Sequence, residues 1–257
     1  MQHINYAWRL FATGLCFSLF GLGGLILTLI IFPLYYLFAG KYRTRLARKT
    51  IQTAFALFLW IMQFTGVLKF EIKSARRLTD AKGMLVLANH PTLIDVIAII
   101  AYMPNVNCIV KQQLWSNFFI GMVVRSADYI RNTESEGLIE QCHEALQAGN
   151  NLIIFPEGTR SRPGEPLKFK RGTAHILLKS NALIKPVIIK CVPSTLTKGE
   201  KWYKIPRTKA NMIVSVQPAM STEKLMANAD GDVEAFSARQ LTKKLEDYFS
   251  NQIALNQ

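Results

Sequence analysis

Apolar residues follow two regimes along this chain. Residues 10–40 contain no charged side chain, and residues 51–68 form a second uncharged stretch rich in aromatic and aliphatic groups. From about residue 69 onward, short apolar runs alternate with amphipathic ones. Residues 10–32, ahead of Pro33, predict a helix of about 34 Å at about 1.5 Å per residue, long enough to cross a hydrocarbon core. That run exceeds the apolar core of a signal peptide, and no small-residue cleavage site precedes the basic cluster that follows it.

In the second regime, strand-like runs fall at residues 84–88, 107–110, 128–131, 151–155, 184–192 and 212–216. Helical patterns fall at 91–103, 112–124, 134–148 and 172–180. Thr133 with Glu136 makes a capping box for the third helix, and Gly149 closes it. Phe236, Leu241, Leu245, Tyr248, Phe249 and Ile253 give a C-terminal amphipathic helix that packs on the sheet. The alternation predicts an α/β fold: a largely parallel central sheet flanked by helices, preceded by an N-terminal membrane-embedded helical segment. The expected division is 1–68, membrane-embedded helices with a basic loop at 41–49, and 69–257, the α/β domain. Ligands of such sheets gather beyond the carboxyl ends of the strands, where His90, Arg131 and Glu157 fall.

Charge sharpens this picture. The 257 residues carry a formal net charge of +14, which calls for an anionic partner. Half of the residues are hydrophobic, so an acidic lipid surface fits better than nucleic acid, for which no zinc-finger spacing or aromatic-basic recognition motif is present. Lys41, Arg43, Arg45, Arg48 and Lys49 sit between the two apolar stretches, each worth about 1 kcal/mol near an anionic leaflet. They predict that this face stays on the cytoplasmic side. Two arrangements satisfy that: one span followed by an interfacial helix, or a hairpin dipping into one leaflet. The loop at 193–210, with its lysines, Arg207, Trp202 and Tyr203, suits either a second membrane contact or an ordinary exposed loop. Cys16, Cys108, Cys142 and Cys191 form no Cys-x-x-Cys pair and read as buried thiols of a reducing compartment.

The candidate chemistry begins at Asn89-His90-Pro91-Thr92-Leu93-Ile94-Asp95, directly after an apolar run. Pro91 suits the first position of a helix, which sets His90 at a strand-to-helix junction with Asp95 near enough to reach back. A neutral imidazole held by a carboxylate is a good general base near neutral pH. The same spacing also suits a solvent-facing histidine and an unrelated surface carboxylate. A second block, Phe155-Pro156-Glu157-Gly158-Thr159-Arg160-Ser161, follows the run 152–154. Arg160 offers a planar fork for phosphate, Gly158 permits close backbone approach, and Thr159 can donate a hydrogen bond. Glu157 is suited to positioning Arg160 or a ligand hydroxyl, or to closing a turn as an ion pair with Arg160.

Together, and in this order, the Asn-His-(four residues)-Asp and Phe-Pro-Glu-Gly-Thr-Arg blocks resemble those of the glycerolipid acyltransferase family over roughly residues 70–217. The resemblance implies a two-helix membrane motif before the catalytic domain and makes His90 the general base, oriented by Asp95. It implies Glu157, Gly158, Thr159 and Arg160 as the acceptor site. Lys111, in Lys111-Gln112-Gln113-Leu114, becomes a second phosphate contact, and Arg131 a further anion contact. Phe118 stands where the family commonly has proline, and Asp128 and Tyr129 depart from its middle block, leaving the acceptor's identity open. Lys168, Lys170 and Arg171 follow the second block and fit either a donor or headgroup contact or a solvated basic face. His175 reads as a core histidine.

The expected activity is transfer of a fatty acyl group from acyl-CoA or acyl-carrier protein to a lysophospholipid hydroxyl, most simply 1-acyl-glycerol-3-phosphate. It would take place at the cytoplasmic face of a bacterial-type inner membrane. No metal or redox cofactor is expected, because no ligand or dinucleotide motif is present and the thioester supplies its own driving force. Another lysolipid acceptor, or a lipid-binding protein without turnover, are the alternatives. A serine lipase is disfavoured by the lack of a Gly-x-Ser-x-Gly elbow.

Overall fold

A computed structural model describes residues 2–38, 40–117, 120–132, 136–226 and 237–255. Thr133, Phe118 and Phe236 lie outside the described residues. Helix α1 (Gln2–Ile26) widens into a π-helical turn at Leu27–Ile31 and continues as α2 (Phe32–Tyr35). The widening falls just before Pro33, which has no N–H to donate and whose ring crowds the carbonyl four residues back. Residues Ile4–Tyr35 are long and apolar enough to cross a membrane by length and composition. Trp8, Phe11, Leu15, Leu19, Leu22, Ile26 and Leu29 recur at helical spacing and are all exposed, a continuous apolar stripe of the kind that meets lipid or protein.

Helix α3 (Gly40–Phe64) returns along the domain. The basic run at 41–49 is therefore its first turns and not a loop. Lysine, arginine, leucine and alanine dominate that run, and all are good helix formers. Arg48 also turns inward, with only 5% of its surface exposed. Its guanidinium donates to the Ala127 carbonyl at 2.8 Å, to Asn105 Oδ1 at 3.0 Å and to Asn150 Oδ1 at 2.8 Å. It thus fastens α3 to the amino ends of the sheet strands.

The α/β part runs β1 (Leu68–Lys73), α4 (Arg76–Thr79), β2 (Leu85–Ala88), α5 (Asp95–Tyr102), β3 (Val106–Lys111), α6 (Gln112–Trp115), α7 (Gly121–Ser126), β4 (Ile130–Asn132), α8 (Glu136–Gln147), β5 (Asn151–Ile154), α9 (Gly172–Ser180), β6 (Ile184–Val192), β7 (Ala210–Val216), α10 (Thr222–Met226) and α11 (Ala238–Leu255). The seven strands lie in the order β1-β7-β6-β2-β5-β3-β4. Every pairing is parallel except β6 with β7. The α/β class with a largely parallel sheet is thus the fold the alternation predicts.

Strand periodicity sorts the core into two layers. Val86, Ala88, Val106, Cys108 and Ile153 pack toward α3 and α5. Leu85, Leu87, Leu152 and Ile154 pack toward α8, α9 and α11. Three expectations change. Strand β1 was not expected, because Lys69, Glu71 and Lys73 alternate with its apolar residues. The helix expected at 91–103 begins at Asp95, for a reason given below. The helix expected at 112–124 is divided into α6 and α7, and a Cβ on Gly121 would stand 2.6 Å from the Trp115 carbonyl oxygen.

Candidate active site

Strands β2 and β5 are parallel neighbours with Leu87 level with Ile154. His90 lies three residues beyond Leu87 and Glu157 three residues beyond Ile154, so the two blocks leave the sheet side by side. Two hydrogen bonds tie them: His90 N–H donates to Glu157 Oε1 at 2.9 Å, and Ser161 N–H to the His90 carbonyl at 2.8 Å. Asn89 exchanges bonds with Ile189 on β6, accepting from its N–H at 2.7 Å and donating to its carbonyl at 2.8 Å. The loop is therefore held from both flanking strands.

Thr92, to which the sequence reading gave no role, organises the first block. Its Oγ1 accepts from Ile94 N–H at 3.1 Å, while Asp95 reaches back to accept from Thr92 N–H at 2.7 Å and from Thr92 Oγ1–H at 2.6 Å. This reciprocal capping starts the helix after Thr92, not at Pro91. The signal was present as Thr-x-x-Asp ahead of an apolar run. The cap aims the Asp95 carboxylate back at the loop, where Oδ2 accepts from His90 Nδ1 at 2.8 Å. Asp95 is fully buried, and burial pushes its carboxyl above the ordinary range, opposed by the bonds from His90 and Thr92. With Nδ1–H directed at a carboxylate, the imidazole presents Nε2 as its free lone pair. Phe155 stacks on the ring at 4.2 Å between centroids, and 16% of the His90 side chain remains exposed.

In the second block, Gly158 has φ +68 and closes a turn by donating to the Phe155 carbonyl at 2.9 Å. The Lys170 side chain lies across it: a Cβ there would stand 2.8 Å from Lys170 Cε. Glu157 turns to the His90 backbone, and burial pushes its carboxyl up, opposed by the bond from the His90 N–H. Arg160 Nη1 donates to the Leu196 carbonyl at 2.8 Å and the Thr197 carbonyl at 3.0 Å, so the Glu157–Arg160 ion pair does not form. Leu196 O also accepts from Leu93 N–H at 3.2 Å. That shared carbonyl brings the Arg160 guanidinium against the His90 loop.

A cavity of about 320 Å³ opens beside these residues, walled by Leu93, Ile94, Leu196, Trp202 and the aromatic faces of α1 and α3 at Phe17, Phe20, Phe55 and Phe58. Its size lies within the range of ligand pockets, about 300–1,000 Å³. The loop at 193–210 closes it against α1. Arg9 donates to the Pro206 carbonyl at 3.0 Å and to the Arg207 carbonyl, and a Cβ on Gly14 would meet the Trp202 ring at 3.4 Å.

Other candidates stand apart. Arg131 is level with Val110 and Lys111 with Asn132, so the two basic residues alternate to opposite faces of the sheet. Strand β4 is three strand spacings from β2, about 14 Å, and Arg131 lines a different cleft. Thr159, Lys168 and Arg171 are exposed, and so is His175, whose place on α9 looks outward from the core. All four cysteines are free; burial pushes the Cys108, Cys142 and Cys191 thiols up to about 12, far from a reactive thiolate.

The acyltransferase family model matches residues 41–190, which include both blocks. A 1-acyl-sn-glycerol-3-phosphate acyltransferase of Helicobacter pylori is 33% identical over 151 residues, 56% of this chain and 63% of that protein. The human 1-acyl-sn-glycerol-3-phosphate acyltransferase beta is 25% identical over 168 residues, 62% of this chain and 59% of that protein. The matches thus span less than two thirds of either relative. The crystal structure of the 1-acyl-sn-glycerophosphate (LPA) acyltransferase PlsC from Thermotoga maritima superposes with a TM-score of 0.72 at 18% identity, covering 99% of this chain and 97% of that one. It shares the fold. With more than half of its length matched by the family model, including the paired His90 and Glu157 loops, this chain belongs to the acyltransferase family.

Proposed function

We propose that the protein transfers a fatty acyl group from an acyl-CoA or acyl-carrier-protein thioester to the free hydroxyl of 1-acyl-glycerol-3-phosphate, giving phosphatidic acid. The observation that carries this reading is the buried Asp95 bonded to His90 Nδ1, which leaves Nε2 as a base on a loop whose Leu93 and Ile94 line an apolar cavity. Nε2 takes the hydroxyl proton as the oxygen attacks the thioester carbonyl carbon. The carbon–sulfur bond breaks, and the departing thiolate recovers the proton from the imidazolium, which Asp95 stabilises meanwhile. No acyl-enzyme forms, and no metal or redox cofactor takes part.

Arg160 has Nε and Nη2 left to bind the acceptor phosphate, with the Lys170 ammonium close by across Gly158. Glu157 and Thr92 are positioning residues, acting through the His90 backbone and through Asp95. The apolar cavity takes an acyl chain. Arg131 lies outside this site, and Lys111, pointing to the opposite sheet face from Arg131, is given no role in it. We place α1 in the cytoplasmic leaflet of a bacterial-type inner membrane, with its exposed apolar stripe in lipid and the acidic leaflet meeting the net positive charge.

The test is turnover by the purified full chain in mixed micelles, with labelled acyl-CoA and acyl-carrier protein offered against a panel of lysolipids. Phosphatidic acid should form fastest from the phosphomonoester acceptor. Equal turnover of a monoacylglycerol without phosphate would remove the Arg160 assignment.

A further inference from the structure

A second cleft, of about 1020 Å³, lies at the opposite end of the sheet, where Asn105, Asn107 and Asn150 mark the amino ends of β3 and β5. Six cationic residues line it: Lys41, Arg43, Arg45, Arg48, Arg125 and Arg131. Two carboxylates, Asp128 and Glu144, also line it. Among the described residues, none of the six cations forms an ion pair with a carboxylate. Three donors in its wall, Arg43 Nε, Trp115 Nε1 and the Tyr129 hydroxyl, are buried without a hydrogen-bond partner among the described residues, and Tyr129 is only 7% exposed. Three of the eight buried, unpartnered side-chain atoms among the described residues border this one cationic cleft, where an acceptor-rich ligand would complete it.

The lip of the cleft indicates where that ligand comes from. The turn from α2 into α3 carries Tyr36, Leu37, Phe38 and Tyr42, all exposed, with Leu37 at 82%. Arg43 lies over the Tyr36 ring at 4.4 Å. A free anion gains nothing from such a border, whereas a lipid places its chains on the apolar lip and its phosphate among the arginines. We propose that this cleft binds the phosphate headgroup of an anionic phospholipid of the surrounding bilayer, at a site separate from the one holding His90. The inference is read from binding and does not depend on the acyl-transfer reading.

Trp115 supplies the measurement. The full chain in neutral detergent micelles is titrated with dioctanoyl phosphatidic acid, dioctanoyl phosphatidylcholine and free CoA, and the Trp115 fluorescence is isolated by subtracting a Trp115→Phe protein. A saturable change with phosphatidic acid and none with phosphatidylcholine is expected. Arg43→Gln combined with Arg45→Gln should raise the half-saturating concentration at least tenfold, Tyr129→Phe severalfold, and Arg160→Ala should leave it unchanged. Tyr129→Phe keeps the shape of the wall, so it reads the site even if the double variant folds poorly. Titration of both cleft variants like the parent would overturn the proposal, as would loss of the signal in Arg160→Ala. Saturation by CoA with displacement of the lipid would instead make this the donor's pocket.

Discussion

The two ends of the sheet are built on opposite terms. At the carboxyl ends, the polar groups around His90 are largely matched, Asp95 with His90 and Thr92, Asn89 with Ile189 of β6, Glu157 with the His90 backbone, while Ser161 Oγ is buried without a partner among the described residues. At the amino ends, cations outnumber carboxylates and buried donors stand unpaired. A loop whose groups satisfy one another is preorganised and needs nothing bound to hold its geometry. A cleft with leftover donors is held by Arg48, by Asn105 with Asn150 and by Arg125 with Trp115, and on the proposal above a ligand completes the remainder. On the two proposals above, chemistry and attachment fall to opposite ends of one sheet.

Substitutions can separate these roles. His90→Ala should lower turnover about a thousandfold, the scale of a lost general base, while the thermal midpoint and vesicle binding stay as they were. Unchanged turnover would end the assignment. Thr92→Val keeps the volume but removes one bond to Asp95 and the Oγ1 half of the cap, so kcat should fall about tenfold with little change in KM. An equal loss in both would make Thr92 a substrate contact. Arg48→Ala does the reverse: it strands the Ala127 carbonyl, removes the bonds to Asn105 and Asn150 and leaves a cavity, and should cost about 3 kcal/mol. At about 2–4 °C per kcal/mol the midpoint falls by about 6–12 °C in a melting experiment, with kcat of the folded fraction retained.

The smallest effect concerns pH. Burial raises the Glu157 carboxyl above its ordinary 4.5, so the folded chain holds that proton more tightly than the unfolded one. Its contribution to stability is greatest below pH 4.5, declines as pH rises toward the folded value, and is flat beyond it. Glu157→Gln keeps an acceptor for the His90 N–H and should remove that slope with nearly full turnover. A slope that persists belongs to another group, Asp95 foremost.

How much of this could be read from the residues depended on how local each cause was. Strand β6 and helix α9 were legible to the residue, because an apolar, β-branched-rich run centred on Val187, Ile188 and Ile189 and a Gly-to-Asn frame define them. Strand β1 was not. Leu68, Phe70 and Ile72 alternate with charged residues, and the pairing that makes them a strand is with β7, far along the chain. The His90–Asp95 pair was visible as a spacing, but its geometry came from Thr92. Arg160 was visible as an anion fork; that half of it holds the 196–197 backbone depends on a loop distant in sequence. The unpaired donors of the second cleft belong to residues 43, 115 and 129, and no local pattern joins them.

Helix α1 does double duty in a way that bears on any attempt to work with a shortened protein. The face carrying Phe17 and Phe20 is one wall of the chamber that Leu93 and Ile94 of the His90 loop also line, and Arg9 and Gly14 seat the opposite wall against it. Trimming the N-terminus for the sake of solubility would therefore leave the room with a side missing, flooded and unable to shelter a greasy tail, even with every residue of the proton relay in place.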